Sequence, residues 1–180
     1  FLAEHLRLQV RVIGLMNSRN MLLNNEGIDL NKWQELLLSG EKTDLNQIIR
    51  QVLQELTEEI EEKNATIEVG ELCVAHIIPF QFRQMMHNLI GNSLKFSRSD
   101  TPPHIKITAS IVQSYSAFGD KPACRIAVTD NGIGFEDLYS EKIFELFQRL
   151  HGKTQYQGTG IGLSIVKKIV ENHHGHIHAQ

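Results

Sequence analysis

Residues 84–96, with the sequence QMMHNLIGNSLKF, decide the fold. On a helix, Asn88, Asn92 and Lys95 lie at positions i, i+4 and i+7 and therefore share one face. Asparagine is a poor helix former, so two of them in one helix indicate a local task. An amide oxygen is a hard ligand that suits Mg²⁺, and a lysine neutralises phosphate charge. The alternative interpretation of this pattern is an exposed polar helix face.

Two glycine-rich stretches follow along the chain. Residues 130–135, DNGIGF, come directly after a predicted strand, and their glycines allow positive φ and the close approach of a planar ligand. The carboxylate of Asp130 can accept a hydrogen bond from an exocyclic amino group, such as that of adenine. Residues 158–163, GTGIGL, open a predicted helix, where free backbone N–H groups suit phosphate. The ordinary alternatives are a strand-ending turn and a flexible loop before a helix.

The composition narrows the class of protein. The chain has 180 residues, 41% of them hydrophobic, which is enough for the core of one α/β domain. A formal net charge of −3 gives no basic surface, so no nucleic-acid partner is expected. No apolar run has the length of a membrane span and no signal peptide opens the sequence, so a cytoplasmic location is expected, whether or not a longer parent protein is membrane-anchored. Cys73 and Cys124 are expected to be two free buried thiols in a reducing cytosol.

The hydrophobic periodicity predicts two regions. Residues 1–40 are predicted to be a helical extension, with an amphipathic helix over residues 1–25 and a short helix over 31–38. The apolar stripe of the first helix is compatible with packing on its own domain or with a two-chain helical bundle. Residues 41–180 are predicted to form the main domain.

The main domain is predicted to be an α/β fold, more specifically an α+β two-layer sandwich. Its mixed, mostly antiparallel sheet carries helices on one face. Helices are predicted from Asp44 to about residue 60, from Pro79 to Phe96, and over residues 141–150 and 159–172. Strands are predicted over 65–69, around 105–109 and 124–128 with a hairpin loop over 113–122, and from 176 to 179.

In their order, their spacing and their structural context, the three stretches together resemble the motifs of the GHKL ATPase superfamily, and within it those of the sensor histidine kinases. Residues 88–97, NLIGNSLKFS, are similar to the N box of that family, and DNGIGF is similar to its first glycine box. Residues 143–151, IFELFQRLH, resemble the F box, and residues 158–177, GTGIGLSIVKKIVENHHGHI, resemble the second glycine box with its helix. The resemblance extends from about residue 43 to the end of the sequence.

The resemblance implies a magnesium-ATP site between helices and a mobile lid over residues 151–157. It implies that Asn92 coordinates Mg²⁺, that Asn88 contacts the metal or the phosphates, and that Asp130 holds the adenine amino group. The remaining implied contacts to nucleotide are made by Lys95, Phe96, Gly132, Ile133, Gly134, Phe147, Arg149, Gly158, Thr159, Gly160, Gly162 and Leu163. Among these, Lys95 and Arg149 would contact phosphate, the latter as the lid arginine near the γ-phosphate.

Asn88 separates two branches of the superfamily. The gyrase-like and MutL-like members carry a water-activating glutamate four residues before the metal-binding asparagine, and this sequence has Asn88 there. Without that base, transfer of the γ-phosphate to a protein histidine is favoured over hydrolysis. The implied partners are a dimerisation domain of the same protein that carries the accepting histidine, and a response regulator, with a homodimer in the full-length protein.

Some residues depart from the family pattern. An accepting histidine is usually followed by an acid, an arginine and a proline, whereas His5 is followed by Leu6-Arg7-Leu8 with no proline. Residues 1–25 are therefore interpreted as the remnant of a second dimerisation helix, with the acceptor expected upstream of this sequence. The sequence also ends at Gln180, where the family usually adds a further strand. His173, His174, His176 and His178 are interpreted as a helix end and a strand rather than as a metal site. A degenerate kinase that only binds proteins and a serine kinase of the anti-sigma-factor type are the competing hypotheses.

Overall fold

The computed structural model describes residues 14–16, 20–23, 41–42, 44–73, 75, 77–113, 122–148 and 160–180. It divides into two compact units. One unit holds a three-stranded antiparallel sheet of β1 (Gly14–Met16), β2 (Asn20–Leu23) and β3 (Glu41–Lys42), in that order. The predicted boundary between residues 40 and 41 stays a prediction.

The helix predicted over residues 1–25 is wrong where the structure describes that segment, because residues 14–16 and 20–23 are strands. Two features of the sequence explain the error. Gly14 inside a helix costs about 1 kcal/mol relative to alanine, and Asn20 interrupts the apolar stripe. Short apolar runs fit a strand as well as a helix when their periodicity is broken. The rest of this helix and the predicted helix over 31–38 lie outside the described residues.

The second unit, Leu45–Ala75 and Phe80–Gln180, contains a mixed sheet. Strand β4 (Thr66–Val69) is parallel to β5 (His104–Gln113), and β5 is antiparallel to β6 (Pro122–Asp130). The β5–β6 ladder extends from Ile105↔Asp130 to Gln113↔Pro122, as the predicted hairpin requires. Ile105 and Ile107 are fully buried whereas Lys106 between them is exposed, so the sheet is covered on one face.

Among the described residues, four α-helices supply the other layer. They are α1 (Leu45–Glu55), α2 (Thr57–Glu62), α3 (Pro79–Lys95) and α4 (Gly162–Asn172). The buried hydrophobic side chains of α1, α3 and α4 recur at helical spacing and form the core with β5; they are Leu45, Ile48, Ile49, Val52, Phe82, Met86, Ile90, Leu94, Val166 and Ile169. The guanidinium of Arg83 on α3 donates to the carboxylate of Glu55 on α1 and ties the two helices at their surface. The α/β fold class is confirmed, with helices beside a mixed sheet.

Two predicted elements of this unit are wrong. Of the helix predicted over residues 141–150, the described part (141–148) contains a 3₁₀ turn at Lys142–Phe144 and no α-helix; another 3₁₀ turn precedes it at Asp137–Tyr139. Phe147 has φ +62°, which a right-handed helix does not allow, and its N–H donates to Gly160 O at 3.0 Å. Residues 176–179 are not a strand: an alternating pattern makes a strand only beside a neighbour that completes its ladder. Helix α4 begins at Gly162 rather than at 159 because Gly160 has φ +72°.

The expectation of two free cysteines is also wrong. Cys73, after β4, and Cys124, on β6, form a disulfide with a Cα–Cα distance of 6.1 Å. The two cysteines are 51 positions apart, and this separation conceals the pairing in the sequence, because the segments that carry them meet only through the β4-β5-β6 sheet. Among the helices of the described part of the chain, none combines the length and apolar character that crossing a membrane requires.

Candidate functional site

Helices α3 and α4 approach each other closely at the asparagine face of α3. A Cβ at Gly162, the first residue of α4, would lie 3.0 Å from Asn88 Oδ1 and 3.9 Å from Asn92 Nδ2. The side chain of Asn88 is held in place, since its Nδ2 donates to Gln84 O at 2.9 Å one turn earlier. Both asparagines are half-buried. The amide groups of α3 therefore lie directly against the N-terminus of α4, where backbone N–H groups have no partner inside the helix.

The DNGIGF turn contacts the other end of α3. Ile133 N–H donates to Phe96 O at 3.0 Å, and a Cβ at Gly132 would lie 2.7 Å from that same carbonyl oxygen. Only glycine fits at position 132 without a displacement of the turn. Ser93 Oγ lies 2.7 Å from Asp130 Oδ2, while Gly132 N–H donates to Asp130 Oδ1 at 2.9 Å. These contacts bring residues 93–96 and 130–133 together.

Two further side chains fix the shape of this turn. The amide of Asn131 accepts from His104 N–H at 2.8 Å and donates to Pro102 O at 3.0 Å, so it attaches the end of β6 to the segment before β5. Arg98 Nε donates to Gly132 O at 3.1 Å. Gly134 has φ +65°, and a side chain at that position would meet nothing within 4 Å. The turn is thus held by hydrogen bonds on one side and open at Gly134.

The other described residues of the predicted site include Lys95, Phe96, Leu163 and Phe147. Lys95 Nζ lies 4.8 Å from the centroid of the Phe96 ring. Leu163 is half-buried in the first turn of α4. Phe144 of the predicted F box is buried, whereas Phe147 is 73% exposed and is joined to Gly160 through its backbone. Arg149, Gly158, Thr159 and the predicted lid lie outside the described residues.

The geometry can serve two ends of one extended ligand. At Gly162, amide groups and a helix N-terminus favour an anion together with a hard cation. At Asp130, a carboxylate with fixed orientation and exposed surface favours a ligand that donates hydrogen bonds. Asn88 and Asn92 suit Mg²⁺ because their donor atoms are neutral oxygens, which leave the charge of the metal to be balanced by phosphate.

Sequence reasoning missed the parts played by Ser93, Arg98 and Asn131. None of the three carries a usable local signal, because the partners of their side chains described above lie 27 to 37 positions away in the sequence. Among the described residues, no three His, Cys, Asp or Glu side chains are grouped so that they can hold a metal ion, and this includes the histidine-rich tail.

Comparisons with known proteins identify the family of this chain. Residues 78–180 match the family model HATPase_c, described as histidine kinase-, DNA gyrase B-, and HSP90-like ATPase. The chain is similar to the phytochrome-like protein Cph1 of Synechocystis sp., with 42% identity over 137 residues, which are 75% of this chain and 17% of that protein. It spans 16–18% of the length of three cyanobacterial phytochrome relatives.

Solved structures place the chain more closely within that family. The catalytic domain of histidine kinase ThkA is 27% identical, with a TM-score of 0.55 over 73% of this chain and 79% of that one. Full-length ShkA in complex with AMPPNP is 25% identical, with a TM-score of 0.52 over 72% of this chain and 25% of that one. The chain belongs to the histidine kinase-, DNA gyrase B- and HSP90-like ATPase family, and within it to the catalytic domains of sensor histidine kinases.

Proposed function

We propose that this chain binds magnesium-ATP between α3, the DNGIGF turn and the start of α4. It then transfers the γ-phosphate to a histidine on a dimerisation domain of the same protein, for relay to a response regulator. The observation that carries the proposal is the packing of Gly162 against Asn88, which brings the first and third sequence stretches together. The solved structure of ShkA in complex with the ATP analogue AMPPNP supports nucleotide binding in this fold.

Each end of the nucleotide has residues whose chemistry fits it. Asp130 accepts a hydrogen bond from the adenine amino group, while Gly132, Ile133, Gly134 and Phe96 border the base. Asn92, with Asn88 beside it, would hold Mg²⁺, and a metal bound there would supply positive charge to balance the phosphates.

The triphosphate is held by cations and by backbone N–H groups. Lys95 and Arg149 neutralise its negative charge. The glycine-rich stretch offers N–H groups to the phosphates at the start of α4. The residues of this stretch that contact the phosphates in the proposed complex are Gly158, Thr159, Gly160, Gly162 and Leu163. Phe147 adjoins the stretch, because its backbone N–H donates to Gly160 O.

Asn88 directs the phosphate to a protein rather than to water. Its side chain holds an amide where the hydrolytic relatives carry a carboxylate, and an amide does not take a proton from water. A histidine imidazole is itself nucleophilic and needs no such base. The reaction therefore proceeds when the dimerisation domain presents its histidine in line with the γ-phosphate, in a homodimer of the cytoplasmic parent protein.

Two measurements on the full chain test the proposal in sequence. Titration calorimetry with ATP and Mg²⁺ should show binding that Asp130→Ala weakens by about tenfold or more, a magnitude expected when a charged hydrogen-bond acceptor is lost. Asp137→Ala is the matched control, since Asp137 is an exposed aspartate in a 3₁₀ turn outside the site. Absence of ATP binding by the unaltered chain refutes the nucleotide site.

The second measurement separates the kinds of kinase. Labelled γ-phosphate should pass to an added dimerisation domain, and the product should be acid-labile, as phosphohistidine is. An acid-stable product contradicts the histidine acceptor and favours the serine-kinase hypothesis. ATP binding without transfer to a competent domain leaves the protein-binding hypothesis in its place.

A further inference from the structure

Ser93 is the buried polar side chain of the described core, with 7% of its surface exposed. Its Oγ lies 2.7 Å from Asp130 Oδ2 and 3.2 Å from Leu89 O. A hydroxyl has one hydrogen to donate, and an ionised carboxylate only accepts. Donation to Leu89 O would turn an oxygen lone pair of the hydroxyl toward the carboxylate at 2.7 Å. The hydroxyl of Ser93 therefore donates to Asp130.

This bond fixes the direction of the Asp130 carboxylate. One oxygen accepts from Ser93 and the other from Gly132 N–H, so the group is held at both ends and cannot rotate freely. Each oxygen keeps a further lone pair, and Asp130 remains exposed on its other side. A carboxylate held in this way needs no reordering when a donor arrives, which lowers the entropic cost of binding.

We propose that Ser93 is a positioning residue that sets the preference of this chain for adenine nucleotides, acting through Asp130. The inference rests on the proposed function, in which Asp130 accepts a hydrogen bond from the adenine amino group. Guanine carries an oxygen at the corresponding position, and that oxygen faces the fixed carboxylate with a lone pair instead of a hydrogen. A carboxylate released by loss of Ser93 rotates away from both the favourable and the unfavourable contact.

The test compares two nucleotides and two serine variants. ATP and purine riboside triphosphate differ by the exocyclic amino group, and both are titrated calorimetrically into the unaltered chain, Ser93→Ala and Ser97→Ala. Ser97 is the control, because it lies four residues on and its hydroxyl accepts from Lys63 Nζ at 3.2 Å instead of contacting Asp130. Ser93→Ala should weaken ATP binding about five- to tenfold and leave the purine analogue within about twofold, as loss of one charge-assisted hydrogen bond predicts. Ser97→Ala should change neither, and Ser93→Thr, which keeps the hydroxyl, should retain the preference for ATP.

A double-mutant cycle separates positioning from a merely structural role. In an Asp130→Ala background, Ser93→Ala should cause no further loss of ATP affinity, because the carboxylate that Ser93 positions is gone. Equal loss for both nucleotides, or additive losses with Asp130→Ala, overturns the inference while ATP binding by the unaltered chain still stands. Failure of the unaltered chain to bind ATP refutes the proposed function itself, so the two failures are distinguishable.

Discussion

Substitution of Gly132 by alanine is expected to destabilise the fold and to weaken nucleotide binding together. A Cβ at this position would lie 2.7 Å from Phe96 O and 2.8 Å from Asp130 Oδ1, closer than carbon and oxygen atoms approach without a bond. The first oxygen belongs to the backbone at the end of α3 and cannot turn aside. The turn must therefore move away from α3, which disturbs the hydrogen bond from Ile133 N–H to Phe96 O.

The size of the effect follows from these contacts. Forcing an extra methyl group into a filled space costs about 1–3 kcal/mol, and a weakened hydrogen bond adds about 1 kcal/mol. A loss of about 2–4 kcal/mol lowers the melting temperature of a domain of this size by about 4–16 °C. The affinity for ATP should fall at least tenfold, because Asp130 and Ile133 move with the turn.

Gly91→Ala is the matched control for this experiment. Gly91 lies inside α3, and a Cβ there meets nothing within 4 Å. Alanine in a helix interior is favoured over glycine by about 0.8–1 kcal/mol, so this variant should melt slightly above the unaltered chain with ATP affinity unchanged. Circular dichroism during heating gives the melting temperatures, and calorimetry gives the affinities. The predicted clash at position 132 is refuted if Gly132→Ala has the same melting temperature as the unaltered chain, or if Gly91→Ala loses as much stability as Gly132→Ala.

Three further predictions concern other contacts. Gly162→Ala should weaken ATP binding by about tenfold in calorimetry, because the added Cβ would lie 3.0 Å from Asn88 Oδ1 and push the amide aside. Its melting temperature should change little, since alanine favours the helix; an unchanged ATP affinity contradicts this prediction. Reduction of the Cys73–Cys124 disulfide should lower the free energy of unfolding by up to about 4 kcal/mol, the chain-entropy value for a loop of this length; a urea midpoint insensitive to reductant speaks against it. Asn131→Ala should cost about 1–3 kcal/mol of stability through two lost hydrogen bonds, and a large loss of ATP affinity without a loss of stability would assign Asn131 to the site instead.

The sequence predicts those elements whose signal is local and repeated. Helix α3 and strands β5 and β6 agree with prediction because several successive apolar residues select one period. The secondary-structure predictions fail where the conformation depends on a single residue or on a partner that is distant in the sequence. The extended backbone of Glu145 ends the 3₁₀ turn at Phe144, and the positive φ of Phe147 excludes a right-handed helix beyond it. Residues 176–179 alternate like a strand without a ladder.

The site shows the same division. Each glycine-rich stretch contains its own conformational signal, and the structure brings Gly162 to Asn88 and Gly132 to Phe96, as the order of the motifs implies. The register of α3 against β6 is not written in any local pattern. For that reason the sequence alone predicts only that Ser93 is a small residue of the core. Its contact with Asp130, 37 positions later, is known only from the structure.

Both ends of the proposed nucleotide site depend on α3. Asn88 faces α4 at one level, and Ser93 faces Asp130 five residues later, which is about 7.5 Å along the helix axis. A helix of this length is rigid along its axis, since buried Met86, Ile90 and Leu94 hold the interior side throughout. The spacing between Asn88 at the phosphate end and Ser93 at the adenine end is thereby fixed by backbone geometry rather than by a loop. A substitution at one level of α3 should therefore alter one end of the bound nucleotide, whereas a change that shifts the helix along its axis should impair both at once.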